Sequence, residues 1–192
     1  MKTILSSFLL ALLLVTTHSL ALEKSSNAIG IATLTKNANP LATIDLLKST
    51  IIYDGQAITR KIGSSGKPKY INSSGHVIAK INLYDGKKIK IKDNNGNLLW
   101  KIKIKESRVK IANNDSMDNA YKLEQAIPKT TKIYSQEQLI GETKKSGNKY
   151  ITIIGQDKYT VESATNVQAG IIALDDIPMV MRFIIISELS KK

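Results

Sequence analysis

The chain contains no cysteine. It therefore forms no disulfides, carries no lipid-modified N-terminal Cys and has no thiolate nucleophile. Histidine is nearly as scarce, with His18 and His76 the only two. His18 lies in an N-terminal segment read below as removable, which leaves His76 beside Ser74-Gly75 in a turn. One histidine and no cysteine cannot assemble a zinc site of the usual ligands. A Ser-His-Asp arrangement would have to use His76, and no serine stands in a nucleophile elbow. No cofactor is expected. Arginine is limited to Arg60, Arg108 and Arg182. The remaining cations are lysines, which solvate strands without offering the planar fork of a specific phosphate site. Aromatics make up only 5% of residues, too few to interleave with the cations as a nucleic-acid groove requires. Trp100 falls on an apolar strand face and is expected in the core.

What is abundant is positive charge. Lys and Arg total 28 against 16 Asp and Glu, for a net charge of +12. Such a balance favours anionic partners: lipid or glycolipid headgroups, lipopolysaccharide phosphates, acidic polysaccharide or nucleic acid. The competing expectation is a merely solvated basic surface.

Lys2, the apolar run Ile4 to Val15 and Ser19-Leu20-Ala21 form a secretory signal pattern, with cleavage expected after Ala21. An uncleaved anchor is the alternative. The run is shorter than the ~20 residues of a spanning helix. Residues 22–28 read as a short polar leader and 29–192 as one domain. No transmembrane span is expected in the mature chain, because Asp175, Asp176, Pro178 and Arg182 interrupt the C-terminal apolar run. The expected location is periplasmic or extracellular.

The body of the chain reads as short strands separated by turns. Runs at 41–47, 50–53, 57–62 and 77–84 come first, with Asp54-Gly55 and Asp85-Gly86 as hairpin turns. Gly63 to Pro68 reads as a loop, without the spacing of a phosphate-cradling motif. The clearest pattern is KKIKIK at 87–92, then DNNG, then LLWKIKIK at 98–105, continued by Arg108–Ile111. Strict alternation places Ile89, Ile91, Trp100, Ile102 and Ile104 on one face. Lys88, Lys90, Lys92, Lys101, Lys103 and Lys105 occupy the other. Further strands are expected at 121–125, 131–134, 138–143, 149–154 and 158–163, about a dozen in all. Asp93–Asn97 resembles part of a calcium loop but lacks the Gly and Glu that such a loop needs. Asp54, Asp85, Asp93 and Asp157 sit where turns want Asp.

The last segment, Asn166 to Leu189, is apolar nearly all round and of helical length. A helix of that kind must be buried by its own protein. Its start is expected at Thr165 or Asn166, and its end near residue 190. Asp176 and Pro178 either restart the helix, with Asp176 as cap, or kink a continuous one. Asp175 and Asp176 are expected to pair with Arg182 or a strand Lys, or to lie near solvent at the end of a barrel.

The hairpin units typified by IKIKDNNGNLLWKIKIK at 89–105, and the terminal ALDDIPMVMRFIIISEL at 173–189, resemble the tubby C-terminal-like superfamily, in its LURP-one-related and scramblase-like branch. The resemblance covers most of residues 22–192. It implies a mainly β fold: a closed antiparallel barrel of about twelve strands around a central C-terminal helix. It also implies association with lipid, without a motif that transfers residue by residue.

The functional expectation is a non-enzymatic binding domain that docks on phospholipid or lipopolysaccharide headgroups. The site would be Lys88, Lys90, Lys92, Lys101, Lys103 and Lys105, with Arg108 and Lys110 at the rim. The alternative is a structural or protein-interaction module of the envelope or secreted set, its lysines serving solubility. A hydrolase using acids of the 113–119 loop, or Asp175 and Asp176, comes last.

Overall fold

A computed structural model describes residues 30–127, 130–163 and 165–191. The signal and leader expected in residues 1–28 lie outside the described residues.

Fourteen strands run in sequence: β1 (Ile31–Lys36), β2 (Asn39–Asp45), β3 (Thr50–Tyr53), β4 (Gln56–Ile62), β5 (Pro68–Asn72), β6 (Val77–Tyr84), β7 (Lys88–Lys92), β8 (Leu98–Lys105), β9 (Arg108–Ala112), β10 (Tyr121–Ile127), β11 (Thr130–Ser135), β12 (Gln138–Ser146), β13 (Lys149–Ile154) and β14 (Asp157–Glu162). Each pairs antiparallel with its neighbours in sequence, and β1 pairs with β14 to close the barrel. Closure removes the exposed edges that so many short strands would otherwise present. The count is fourteen rather than about twelve. The two unexpected strands are β1 and β5. The β1–β2 turn is made by Asn37 and Ala38 at φ 50 and 67, with no glycine to announce it. β5 is a five-residue strand opening on Pro68, which a Gly/Ser-rich loop masks in the sequence.

The strands follow one another around the barrel, so their connections alternate between its two ends. The chain enters at Gly30, and this end, the entry rim, carries the β2–β3, β4–β5, β6–β7, β8–β9 and β12–β13 turns. The opposite, far rim carries the β1–β2, β3–β4, β5–β6, β7–β8, β9–β10, β11–β12 and β13–β14 turns.

The interior is filled by the C-terminal segment, as its all-round apolarity requires, but by two helices rather than one. α1 (Asn166–Ile171) starts at the entry rim, where Thr165 and Gln168 form a reciprocal capping box. It packs against β10 to β14. The chain turns over residues 172–178 at the far rim and returns as α2 (Met179–Leu189). Asp175 and Asp176 are exposed in that turn. Pro178, not Asp176, is the N-cap of α2, extended at ψ 139 and without a side-chain cap bond. The helix is thus restarted rather than kinked. Residues 182–189 are all buried. Ile89, Ile91, Ile102 and Ile111 are fully enclosed between barrel wall and helices, and Trp100 packs at the core's edge. Thr143 and Thr152 hydrogen-bond each other at 2.7 Å, and Thr152 donates to the Ala169 carbonyl, fastening α1 to the wall.

Candidate anion-binding face

Alternation places the lysines of β7 and β8 on the outside, opposite the isoleucines that reach the helices. The pairing register then aligns them with neighbours further along the chain. Lys88 lies opposite Lys103, Lys103 opposite Lys110, and Lys110 opposite Lys122. Four lysines therefore cross four adjacent strands in one row, at about 4.8 Å per strand. Tyrosines end the row on both sides. Lys88 Nζ lies 4.3 Å from the Tyr84 ring centroid, and Lys122 Nζ 4.3 Å from that of Tyr134. Such contacts hold the ammonium groups over π faces without neutralising them.

The eight residues singled out by alternation divide into three sets. Lys90 and Lys101 face each other across β7 and β8. Both bind the Asp115 carboxylate, at 2.6 and 3.2 Å. Lys101 also donates to the Asp115 carbonyl and is buried, 8% exposed, so it is not part of the accessible face. Hydrogen bonding to Asp115 raises the Lys90 pKa, and the Lys90 and Lys101 ammonium groups hold the Asp115 carboxyl below the usual carboxylate range.

Lys92 belongs elsewhere. It ends a second row in which Lys61 opposes Lys69, Lys69 opposes Lys80, and Lys80 opposes Lys92. A recess of about 410 Å³ lies beside it, lined by Ser64, Ser65, Lys67, Lys69, Lys80 and Lys92 among others. Lys80 is spent on the Asn94 carbonyl, at 2.7 Å.

The third set, Lys88, Lys103, Lys105, Arg108 and Lys110, forms no ion pair among the described residues; the nearest acid bridges go to Lys90, Lys101 and Lys122. Lys105 lies opposite Arg108. A groove of about 960 Å³ runs between the β6–β7 and β8–β9 turns. Its cationic wall is Lys87, Lys88, Lys103, Lys105 and Arg108, and Tyr84 and Ile104 add apolar surface. Asp85 and Glu106 also line it. A smaller recess of about 270 Å³ continues from Lys103, Lys105 and Arg108 to Lys110. The residues that alternation missed are Lys61, Lys67, Lys69, Lys80, Lys87 and Lys122. Each occupies an outward or turn position of its own short segment, and only strand pairing brings it beside the others.

The acids of the C-terminal segment and of the β7–β8 turn are committed to structure. Glu188, 1% exposed, is held by Arg60 Nε at 2.7 Å and by the Tyr70 hydroxyl at 2.8 Å. Burial, then the Glu188 charge, drive the Tyr70 pKa far upward. Asp175 pairs with Arg182 at 3.1 Å. Arg182 also donates to the Ile177 and Ile172 carbonyls and so ties the α1–α2 turn together. Asp176 accepts from the Tyr121 hydroxyl at 2.5 Å. Burial and that hydrogen bond push the Tyr121 pKa up to about 12. Asp93 binds both the backbone and the side chain of Asn97 within its hairpin turn. Among the described residues no cluster of three metal-ligating side chains occurs, and no helix is long and apolar enough to cross a membrane.

No family model matches the chain, and no curated protein matches it. Among solved structures it is similar to an Arabidopsis thaliana protein known by X-ray crystallography, at 14% identity and a TM-score of 0.34, over 63% of this chain and 90% of that one. A likeness at that level carries no argument, and the closed barrel rests on its own strand pairing.

Proposed function

We propose that this protein is an exported, non-enzymatic binding domain that docks on anionic headgroups of phospholipid or lipopolysaccharide. The observation that carries the reading is the register Lys88–Lys103–Lys110–Lys122, extended by Lys105 and Arg108, in which ion pairs among the described residues are made by Lys122 alone. Like charges directly opposite one another destabilise a sheet, and a row of phosphates laid against them removes that repulsion. Export rests on the pattern of residues 1–21. Membership of the tubby-like superfamily belongs to the same proposal, supported by a closed barrel filled by C-terminal helices.

Sedimentation with anionic and with neutral vesicles over a salt series tests it. The expected result is binding to anionic vesicles alone, weakening as salt rises, and lost in the quadruple variant Lys88→Glu, Lys103→Glu, Lys105→Glu, Arg108→Glu. Equal binding to both vesicle types, or none at low salt, overturns it.

A further inference from the structure

A cylinder with lysines on its wall can meet a flat surface along its side or on its end. Two observations choose between these. The first is a separation of charge along the barrel axis. The far rim, strand ends included, holds Asp54, Asp93, Asp115, Asp118, Asp157, Asp175 and Asp176 against Lys36, Lys92 and Lys158, with Lys36 paired to Asp157. The entry rim, strand ends included, holds Lys48, Lys67, Lys87, Lys105, Arg108 and Lys149 against Asp45, Asp85, Glu106 and Glu162, with Lys48 paired to Asp45 and Lys149 to Glu162, and so remains net positive. The field of such a molecule turns its entry rim toward a negative surface before contact.

The second is the placement of exposed apolar side chains. Leu47 is 78% exposed, Ile62 59%, Leu83 42% and Tyr84 37%. All four lie at the entry rim, on the β2–β3, β4–β5 and β6–β7 connections or the strand ends beside them. Ile62 and Leu83 continue the inward alternation of β4 and β6 past the point where the core ends. Leu47 stands at the tip of its turn. Single exposed apolar residues are ordinary, and Ile52, Leu139 and Ile153 are such cases on separate strands. Four on consecutive turns, interspersed with Lys48, Lys67 and Lys87, form the alternation of apolar and cationic groups that suits a bilayer interface. Tyrosine with its hydroxyl toward water is at home at that depth.

We infer that the protein docks end-on, entry rim first, on an anionic phospholipid bilayer, with Leu47, Ile62, Leu83 and Tyr84 entering the boundary between headgroups and acyl chains. The inference rests on the anionic-surface reading above and adds the partner's interior and the orientation. Lys48, Lys67, Lys87, Lys105 and Arg108 then meet phosphates, and the groove behind Tyr84 faces the headgroup layer. The convex wall would touch a plane along one narrow strip, whereas the rim brings several turns to it together. Lys110 and Lys122 lie farther from the surface, because their row descends obliquely from the entry rim.

The absence of cysteine makes site-specific labelling direct. Leu47→Cys, Leu83→Cys, Leu139→Cys and Ile153→Cys variants of the full chain, each carrying an environment-sensitive fluorophore, would be titrated with phosphatidylserine–phosphatidylcholine vesicles and with phosphatidylcholine alone. The expected result is a blue shift, with quenching by bilayer-embedded quenchers, at 47 and 83, with serine lipid only, and neither at 139 or 153. The triple variant Leu47→Ser, Ile62→Ser, Leu83→Ser should bind at least about tenfold more weakly, with an unchanged urea midpoint because these side chains are exposed. Sedimentation with vesicles while labels 47 and 83 stay unshifted overturns the end-on orientation and leaves anionic docking standing. Equal shifts at all four positions overturn it too. No vesicle binding at all removes both readings.

Discussion

Glu188 is a carboxylate enclosed by the barrel that its own helix fills, and its charge is met by Arg60 and Tyr70. Removing one partner of a buried pair leaves the other charge uncompensated. Glu188→Ala should therefore cost about 3 kcal/mol, read as a lower urea midpoint with an unchanged slope. At the opposite extreme of exposure, Ala38 holds φ 67 in the β1–β2 turn. A side chain there strains against its own backbone, and glycine does not. Ala38→Gly should stabilise the chain by roughly 1 kcal/mol, visible in the same urea titration. Neither residue announces itself in the sequence. Glu188 reads as the polar interruption of an apolar helix, and its partners lie more than a hundred positions away. Ala38 has no turn chemistry of its own.

The β7–β8 hairpin was legible because its signal is local: alternation on both sides of Asp93–Gly96, with lysine out and isoleucine in. The fate of its lysines was not, since the loop between β9 and β10 folds back and places Asp115 over two of them. The same limit applies to β1 and β5, which are strands chiefly because their neighbours need partners. The break in the C-terminal helix was readable from Asp175-Asp176-Ile177-Pro178 as a restart or a kink. Choosing between them requires knowing that the chain must turn inside a closed wall. The Asp115 clasp has a pH signature. Its folded pKa is depressed by Lys90 and Lys101, so it stabilises the fold above the unfolded carboxylate value of about 4. That contribution disappears as pH falls through the lower folded value. Carboxyl NMR titration should find Asp115 below the ordinary aspartate range, and Lys90→Met should move it back upward.

For the molecule as a whole, the polar exterior and apolar interior of β7 to β10 are the reverse of a membrane-spanning barrel, whose outward band is apolar. The proposed association is therefore at a surface. Screening sets its range: the Debye length falls from about 10 Å at 0.1 M salt to about 3 Å at 1 M. Vesicle affinity should fall steeply over that interval while the urea midpoint, governed by the buried helices, moves little. The charge polarity of the two rims could not be read along the chain, because successive turns belong to opposite ends. The order of the elements has a temporal consequence. The strand that closes the cylinder and both helices that fill it come from the last part of the chain, and β1 must find β14 across more than a hundred intervening residues. A partial chain emerging from the ribosome holds ribbons with nothing to wrap around. The barrel can close around its filling only after residues 166–189 have been made.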